Sequence, residues 1–290
     1  MRWEQERDST QHRTFRSQGY DIESCYARTF YSVIYRGIRI SDHKTVAIKL
    51  HSIESSSDFI RDSHSESEHA IQKFRREIGI LYKIRRYPGM STILGAGDIE
   101  GIPYHITEWV PGRSVLEVLT RGACSLTVRE KAKIVINTAR SVQRLHEEGL
   151  VHRDIAPYHV FLTPDCRTCI IDFGMAEFVR ENSVKDATCY RLHDIYSTGL
   201  LLYELLIEKQ VLSYGRPSLT REVARAFSEL QEPPALTAVI KRAMLCNAGV
   251  ATLVGQSINP YQNISSFIRD LKRFLEKKGD WATFEPRSNS

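Results

Sequence analysis

Val151-His152-Arg153-Asp154-Ile155-Ala156-Pro157, then His159-Val160-Phe161-Leu162, then Ile170-Ile171-Asp172-Phe173-Gly174: these three clusters decide how the rest of the chain is read. The short apolar runs at 159–163 and 168–172 have the length and composition of two β-strands. Asp154 precedes the first run and Asp172 closes the second, so a hairpin between them lets both carboxylates face one cavity. One carboxylate can orient a hydroxyl, and the other can hold Mg²⁺ through oxygen, the ligand that ion prefers. Each cluster alone arises often by chance. Their order and spacing carry the weight.

Upstream, Val46-Ala47-Ile48-Lys49 ends an apolar strand on a lysine, which is costly unless the ammonium meets a negative charge. Glu77, within Phe74-Arg75-Arg76-Glu77-Ile78, offers that charge. Residues 31–50 alternate apolar and polar around Val33, Tyr35, Ile38, Ile40, Val46 and Ile48, with a turn at Ser41-Asp42-His43-Lys44, which predicts a hairpin. Ile71, Phe74, Ile78, Leu81 and Ile84 recur at helical spacings, and Pro88-Gly89 stops that helix. A β-like pattern runs from Ile102 to Val110 and breaks at Pro111-Gly112. Beyond it the chain reads as mainly helical. The expected organisation is a polar tail at 1–19, a β-rich lobe at 20–107, a helical lobe at 112–280 and a tail at 281–290, with an exposed insertion at 54–68.

Composition narrows the function classes. The chain has 290 residues and a formal net charge of +5, from 40 Lys+Arg against 35 Asp+Glu. The basic residues are scattered, so a dedicated nucleic-acid binder is not expected. The N-terminus lacks the apolar core of a signal peptide, and Leu200–Ile207 is too short to cross a bilayer. Six dispersed cysteines point to a reducing, cytoplasmic compartment. Cys166 and Cys169 form a single CxxC with no second pair, which reads as two hairpin residues rather than a zinc site.

Together these motifs resemble the eukaryotic-type protein kinase family over residues 20–275. The resemblance implies an α+β, two-lobed protein-kinase-like fold, with ATP and Mg²⁺ (or Mn²⁺) as cofactors and a protein substrate or partner. It implies that Lys49 contacts phosphate and pairs with Glu77, that Asp154 is the catalytic aspartate, and that Asp172 binds metal. Nucleotide contacts would come from Ala27, Thr29, Ser32, Ile34, Ala47 and Lys49, and from Thr107, Glu108 and Val110 of the hinge, Phe161 and Asp172. Thr107 would be the gatekeeper. Asp194, in Asp194-Ile195-Tyr196-Ser197-Thr198-Gly199, would open the central helix of the second lobe and fix the backbone of the 152–154 turn. His152, Phe173 and Leu81 would form an apolar column.

The chain departs from the family pattern in several places. Ala27, Thr29 and Ser32 replace the three glycines of the phosphate loop, and only glycine lets amides approach phosphate without hindrance. His159 stands where the family has its second metal-binding asparagine. Imidazole suits softer cations than Mg²⁺, so His159 is expected to shift metal preference toward Mn²⁺. Ala156 replaces a lysine common in Ser/Thr kinases. No Ala-Pro-Glu follows Asp172, and Pro260 stands where its arginine partner is expected, so both halves of that ion pair are missing. The segment from Asp172 to Asp194 is short. Arg153 is expected to meet a carboxylate there, with Glu177, Glu181 and Asp186 as candidates, or to pack against the catalytic turn, rather than to clamp a phosphate.

The leading expectation is a divergent, Ser/Thr-directed, ATP-dependent protein kinase. The alternative is a pseudokinase that binds nucleotide or acts as a scaffold, and a small-molecule kinase on a related fold is the third reading. Lys49→Ala is expected to weaken nucleotide binding without unfolding the chain. The sequence is silent on oligomeric state.

Overall fold

The computed structural model describes residues 14–29, 31–52, 64–121, 126–179, 184–210, 234–254 and 259–276. The chain forms two compact units. The first comprises Met1–Arg86 and Ser91–Val110, and the second comprises Tyr87–Met90 and Pro111–Ser290.

The first unit is built on an antiparallel five-stranded sheet. Its strands are β1 (Tyr20–Arg28), β2 (Ser32–Arg39), β3 (Lys44–His51), β4 (Ile93–Ile99) and β5 (Ile102–Glu108), in the order β1-β2-β3-β5-β4. Strand pleating sends alternate side chains to opposite faces. Val46, Ile48 and Leu50 of β3 join Val33, Tyr35, Tyr104 and Ile106 in one core, while Ala47, Lys49 and His51 take the other face. Helix α1 (His64–Ile84) buries Phe74, Glu77, Ile80, Leu81 and Ile84, one stripe at helical spacing. It begins within the stretch expected to be an exposed insertion; residues 53–63 lie outside the described set.

Of the stretch expected as a tail at 1–19, residues 1–13 lie outside the described set, and residues 14–19 pack with the first unit. Residues 14–17 form a helical turn, and Phe15 is fully buried in the sheet core. Its ring meets Tyr104 edge-on at 4.9 Å, and the Tyr104 hydroxyl donates to Gln18. One phenylalanine in a polar run has no periodicity to announce it, yet full burial of such a side chain contributes about 1.5–3 kcal/mol.

The second unit has two small sheets: β6 (Arg113–Ser114), β8 (Val160–Leu162) and β9 (Thr168–Ile170) in the order β6-β8-β9, and β7 (Leu150–Val151) paired with β10 (Glu177–Phe178). Its helices are α2 (Val115–Arg121), α3 (Val128–Glu147), α4 (Val184–Ile207), α5 (Pro234–Met244), α6 (Ala248–Val254) and α7 (Ile264–Glu276). Thr127 and Glu130 close a capping box at the start of α3. Gly112 has φ +119, and a Cβ there would lie 1.9 Å from the Leu162 carbonyl oxygen, so only glycine fits beside β8. Gly199 allows α4 to approach α5, because a Cβ would come within 2.4 Å of Ala243 Cβ.

Helix α4 starts at Val184, ten residues before the position at which the sequence motif suggested a helix start. An ion pair links two helices of the second unit. Arg242 of α5 meets Asp270 of α7 at 2.7 Å and lies over the Tyr261 ring, whose hydroxyl donates to the same carboxylate. Among the described residues no helix is long and apolar enough to cross a membrane.

Candidate functional site

Several candidate residues of the first unit share one face of its sheet, whereas Glu108, opposite Val46, lies on the other. Register places Ala27 opposite Ile34, Ile34 opposite Lys49 and Lys49 opposite His105, a single cross-strand row. Ala47 opposite Thr107 lies in the next row. Helix α1 presents Glu77 to this face. Lys49 Nζ donates to both carboxylate oxygens, at 2.8 and 3.0 Å. Both side chains are shielded, 13% and 3% exposed, so the pair is desolvated and depends on its geometry. Removing Lys49 takes the nearer donor from a buried carboxylate, so Lys49→Ala is expected to lower stability as well as nucleotide affinity.

Thr29 and Ser32 close a turn on each other. Ser32 N–H donates to Thr29 Oγ1 at 3.0 Å, and Thr29 N–H donates to the Ser32 carbonyl at 2.8 Å. The two hydroxyls are 3.0 Å apart. The Thr29 and Ser32 amides are thus already bonded within this turn. At the end of β5, Glu108 N–H donates to the Thr92 carbonyl, and Trp109 N–H to that of Thr45. Val110 follows, half-buried.

The second unit gathers the acidic residues. Asp154 follows β7, His159 precedes β8, Phe161 lies on β8 opposite Cys169, and Asp172 follows β9. His159 stands between the two aspartates. Its Nδ1 is 3.0 Å from the Asp154 carbonyl and 3.4 Å from Asp154 Oδ2, and its Nε2 is 3.5 Å from Asp172 Oδ2. A carbonyl only accepts, so Nδ1 carries the hydrogen. In the neutral tautomer Nε2 then presents a lone pair beside the Asp172 carboxylate. That is how a metal-binding histidine is held, with its other nitrogen donating to a carbonyl or carboxylate. Asp172 and His159 thus fit one edge of a cation site, of the kind nitrogen-accepting metals take. No group of three or more His, Cys, Asp or Glu that could hold a metal occurs among the described residues. The remaining ligands would have to come from substrate phosphate and water, as is usual for Mg²⁺.

Backbone geometry supports the same place. Arg153 has φ +67 and Asp172 has φ +61, a left-handed conformation that is uncommon outside glycine and concentrates at functional sites. Gly174 N–H donates to Asp172 Oδ1 at 3.0 Å. Asp194, fully buried on α4, accepts from the amides of His152 (3.0 Å) and Arg153 (2.7 Å). Burial alone would raise the Asp194 carboxyl, yet the hydrogen bond and charge of His146 and the nearby His152 hold it below the usual range. Burial pushes the Asp154 carboxyl up; nearby His159 opposes this and the charge of Asp172 adds to it. Tyr158, absent from the sequence-based candidates, points its hydroxyl at Asp154 Oδ1 (3.5 Å) and packs on His159. Burial, reinforced by the Asp154 charge, pushes that phenol up to about 12. His152 and Phe173 pack at 4.9 Å within this unit, and Leu81 is buried in the first.

A model of the protein kinase domain matches residues 29–271. The chain belongs to the protein kinase domain family. Among its relatives, a probable serine/threonine-protein kinase of Clostridium perfringens is 22% identical over 93% of this chain and 40% of its own length. PknB of Corynebacterium glutamicum, a probable serine/threonine-protein kinase, is 26% identical over 70% of this chain and 35% of its own length. A probable serine/threonine-protein kinase of Dictyostelium discoideum is 29% identical over 52% of this chain and 28% of its own length. The chain therefore matches well under half the length of these curated relatives. As a protein kinase domain, the chain carries the family's β-rich and helical units in the expected order.

Proposed function

We propose that this domain is a divergent Ser/Thr-directed phosphotransferase that uses ATP and a divalent cation to modify a protein substrate. The observation that carries the reading is the grouping of Asp154 and Asp172 around His159. In the reaction, the γ-phosphorus of ATP forms a bond to a substrate hydroxyl oxygen, and its bond to the departing ADP oxygen breaks. Asp154 orients that hydroxyl and accepts its proton. A carboxyl raised by burial is a better base than a solvated one. Lys49, fixed by Glu77, holds the phosphates from the first unit, while Ala27, Ile34, Ala47, Thr107, Val110 and Phe161 supply apolar and backbone contacts to the nucleotide. Because the Glu108 and Trp109 amides are already bonded, base recognition falls to other hinge groups. Asp172 and His159 would hold the cation, which neutralises charge developing on the phosphate oxygens.

A second reading, a nucleotide-binding or scaffolding module without turnover, rests on the self-closed Thr29–Ser32 turn, which leaves fewer amides for phosphate. We also propose a reducing, cytoplasmic setting. Among the described residues, Cys25, Cys166, Cys189 and Cys246 are free thiols.

Calorimetry with ATP and either Mg²⁺ or Mn²⁺, followed by radiolabel transfer from the γ-phosphate to the chain or to a generic protein substrate, separates the readings. Binding with transfer supports the enzyme, and binding without transfer supports the module. A chain that binds no nucleotide with either cation sinks both.

A further inference from the structure

Two nitrogens lie close to Glu77 Oε1. Lys49 Nζ donates to it at 2.8 Å, whereas His105 Nε2 lies 3.4 Å away and makes no hydrogen bond. His105 is 4% exposed, and neither of its ring nitrogens has a hydrogen-bond partner. A buried polar group left unsatisfied costs roughly 1–3 kcal/mol, so an apolar side chain would serve this fold better. His105 sits directly opposite Lys49 in the cross-strand row, with the Phe74 ring of α1 5.3 Å from its own. It therefore reaches the same carboxylate from the neighbouring strand.

Lys49 has a second task in the proposed reaction. An ammonium that turns toward phosphate withdraws hydrogen bonds from Glu77, which is 3% exposed. A buried carboxylate that loses its partner is strongly destabilising. We propose that His105 is a positioning residue that takes over Glu77 Oε1 as hydrogen-bond donor when Lys49 turns to a nucleotide phosphate; the nucleotide step rests on the reading above. The move is small. Closing from 3.4 Å to a usual N–H···O distance takes about half an ångström and a slight rotation of ring or carboxylate. The neutral imidazole with hydrogen on Nε2 suffices, so no charge need change. Glu77 keeps a donor throughout the exchange, and α1 stays seated.

Lys49→Met mimics departure of the lysine without any nucleotide. His105→Leu and His105→Gln are made alone and combined with Lys49→Met, and thermal midpoints of the full chain are compared. His105→Leu is expected to leave the midpoint unchanged or raise it when Lys49 is present, and to lower it by several degrees when Lys49 is absent. His105→Gln, which keeps a donor, is expected to escape that loss. Nitrogen-15 spectra of the His105 ring should show a hydrogen-bonded Nε2–H in Lys49→Met, and in the parent saturated with ATP and Mn²⁺. The parent measurement serves if Lys49→Met does not fold. Equal midpoint changes in both backgrounds, or a His105 signal unmoved by either perturbation, overturns the proposal. Calorimetry reads the nucleotide step separately: His105→Leu should weaken ATP affinity about fivefold, with His105→Gln close to the parent. A parent that binds no ATP, with the midpoint coupling present, refutes the phosphate step but retains the hand-over of Glu77.

Discussion

Arg153 Nη1 stands 2.6 Å from Glu177 Oε2, and the Arg153 guanidinium lies 4.5 Å from the centre of the Tyr190 ring. The arginine next to the proposed catalytic aspartate is thus held by the chain's own carboxylate and stacked on an aromatic face. Of the three carboxylates expected from sequence, Glu177 fills the role. Glu181 and the Asp186 side chain lie outside the described residues. Glu177 begins β10, which pairs with β7 just before the His152-Arg153-Asp154 turn, so one contact ties the segment after Asp172 to that turn.

Glu177→Gln should therefore reduce phosphotransfer about tenfold, equivalent to roughly 1.4 kcal/mol of barrier. Its effect on stability should stay below about 1 kcal/mol, because both side chains are partly exposed. By contrast, Ser183→Ala, Thr188→Val and Tyr190→Phe together should leave turnover within about twofold, since the phenyl ring introduced by the last change keeps the stacking face. Steady-state transfer and thermal melts of both variants check this. A large, selective loss of turnover in the triple variant would show that phosphorylation controls the segment.

Asp154→Asn should sharply slow transfer while leaving the melting midpoint unchanged or higher. Burial raises this carboxyl, so the charged form is less favourable in the folded chain than in the unfolded one. A raised carboxyl contributes stability below its unfolded value and loses that contribution as pH rises through the folded value. At neutral pH its charge is a net cost, which asparagine removes. The loss in rate should be about 10²–10⁴-fold, the usual worth of a general base. A marked fall in the midpoint would contradict the assignment of this charge as costly.

His159→Asn should move cation preference toward Mg²⁺. With His159, Mn²⁺ should support nucleotide binding at least as well as Mg²⁺, because an imidazole nitrogen beside Asp172 suits the softer ion. Calorimetric ATP affinity with each cation reads the change, and electron paramagnetic resonance of bound Mn²⁺ gives a signal independent of turnover. An unchanged Mg²⁺/Mn²⁺ ratio in the variant would mean that His159 does not touch the cation.

Stability should fall on acidification through His51. Its residue is 4% exposed, and burial lowers its pKa against a weaker opposing pull from the Tyr31 backbone. A histidine lowered in the fold leaves stability intact above its unfolded value, about 6.5, and reduces it as pH falls through that value toward the folded one. Urea midpoints of parent and His51→Leu between pH 8 and pH 5 test this. Parallel curves would remove His51 from the account.

The sequence by itself determined the element types, the order of the two units and the identity of the acidic pair. Those follow from short-range physics: pleat alternation in β3, helical spacing in α1, and the fixed spacing of Asp154 and Asp172 about a hairpin. Lys49 and Glu77 were legible as partners because a lysine ending an apolar strand requires a charge. Tertiary structure alone decided which side chains touch across strands and turns. Phe15 carries no periodic signal, and its burial depends on the outer face of a sheet formed from residues far along the chain. His105 meets Glu77 only because strand register sets it opposite Lys49. The Thr29–Ser32 turn consumes amides that a residue-by-residue alignment would leave available, and α4 begins early although its motif starts at Asp194. Hydrogen bonds between loop groups and contacts between strands depend on three-dimensional closure, and a one-dimensional pattern of residue types does not encode their partners.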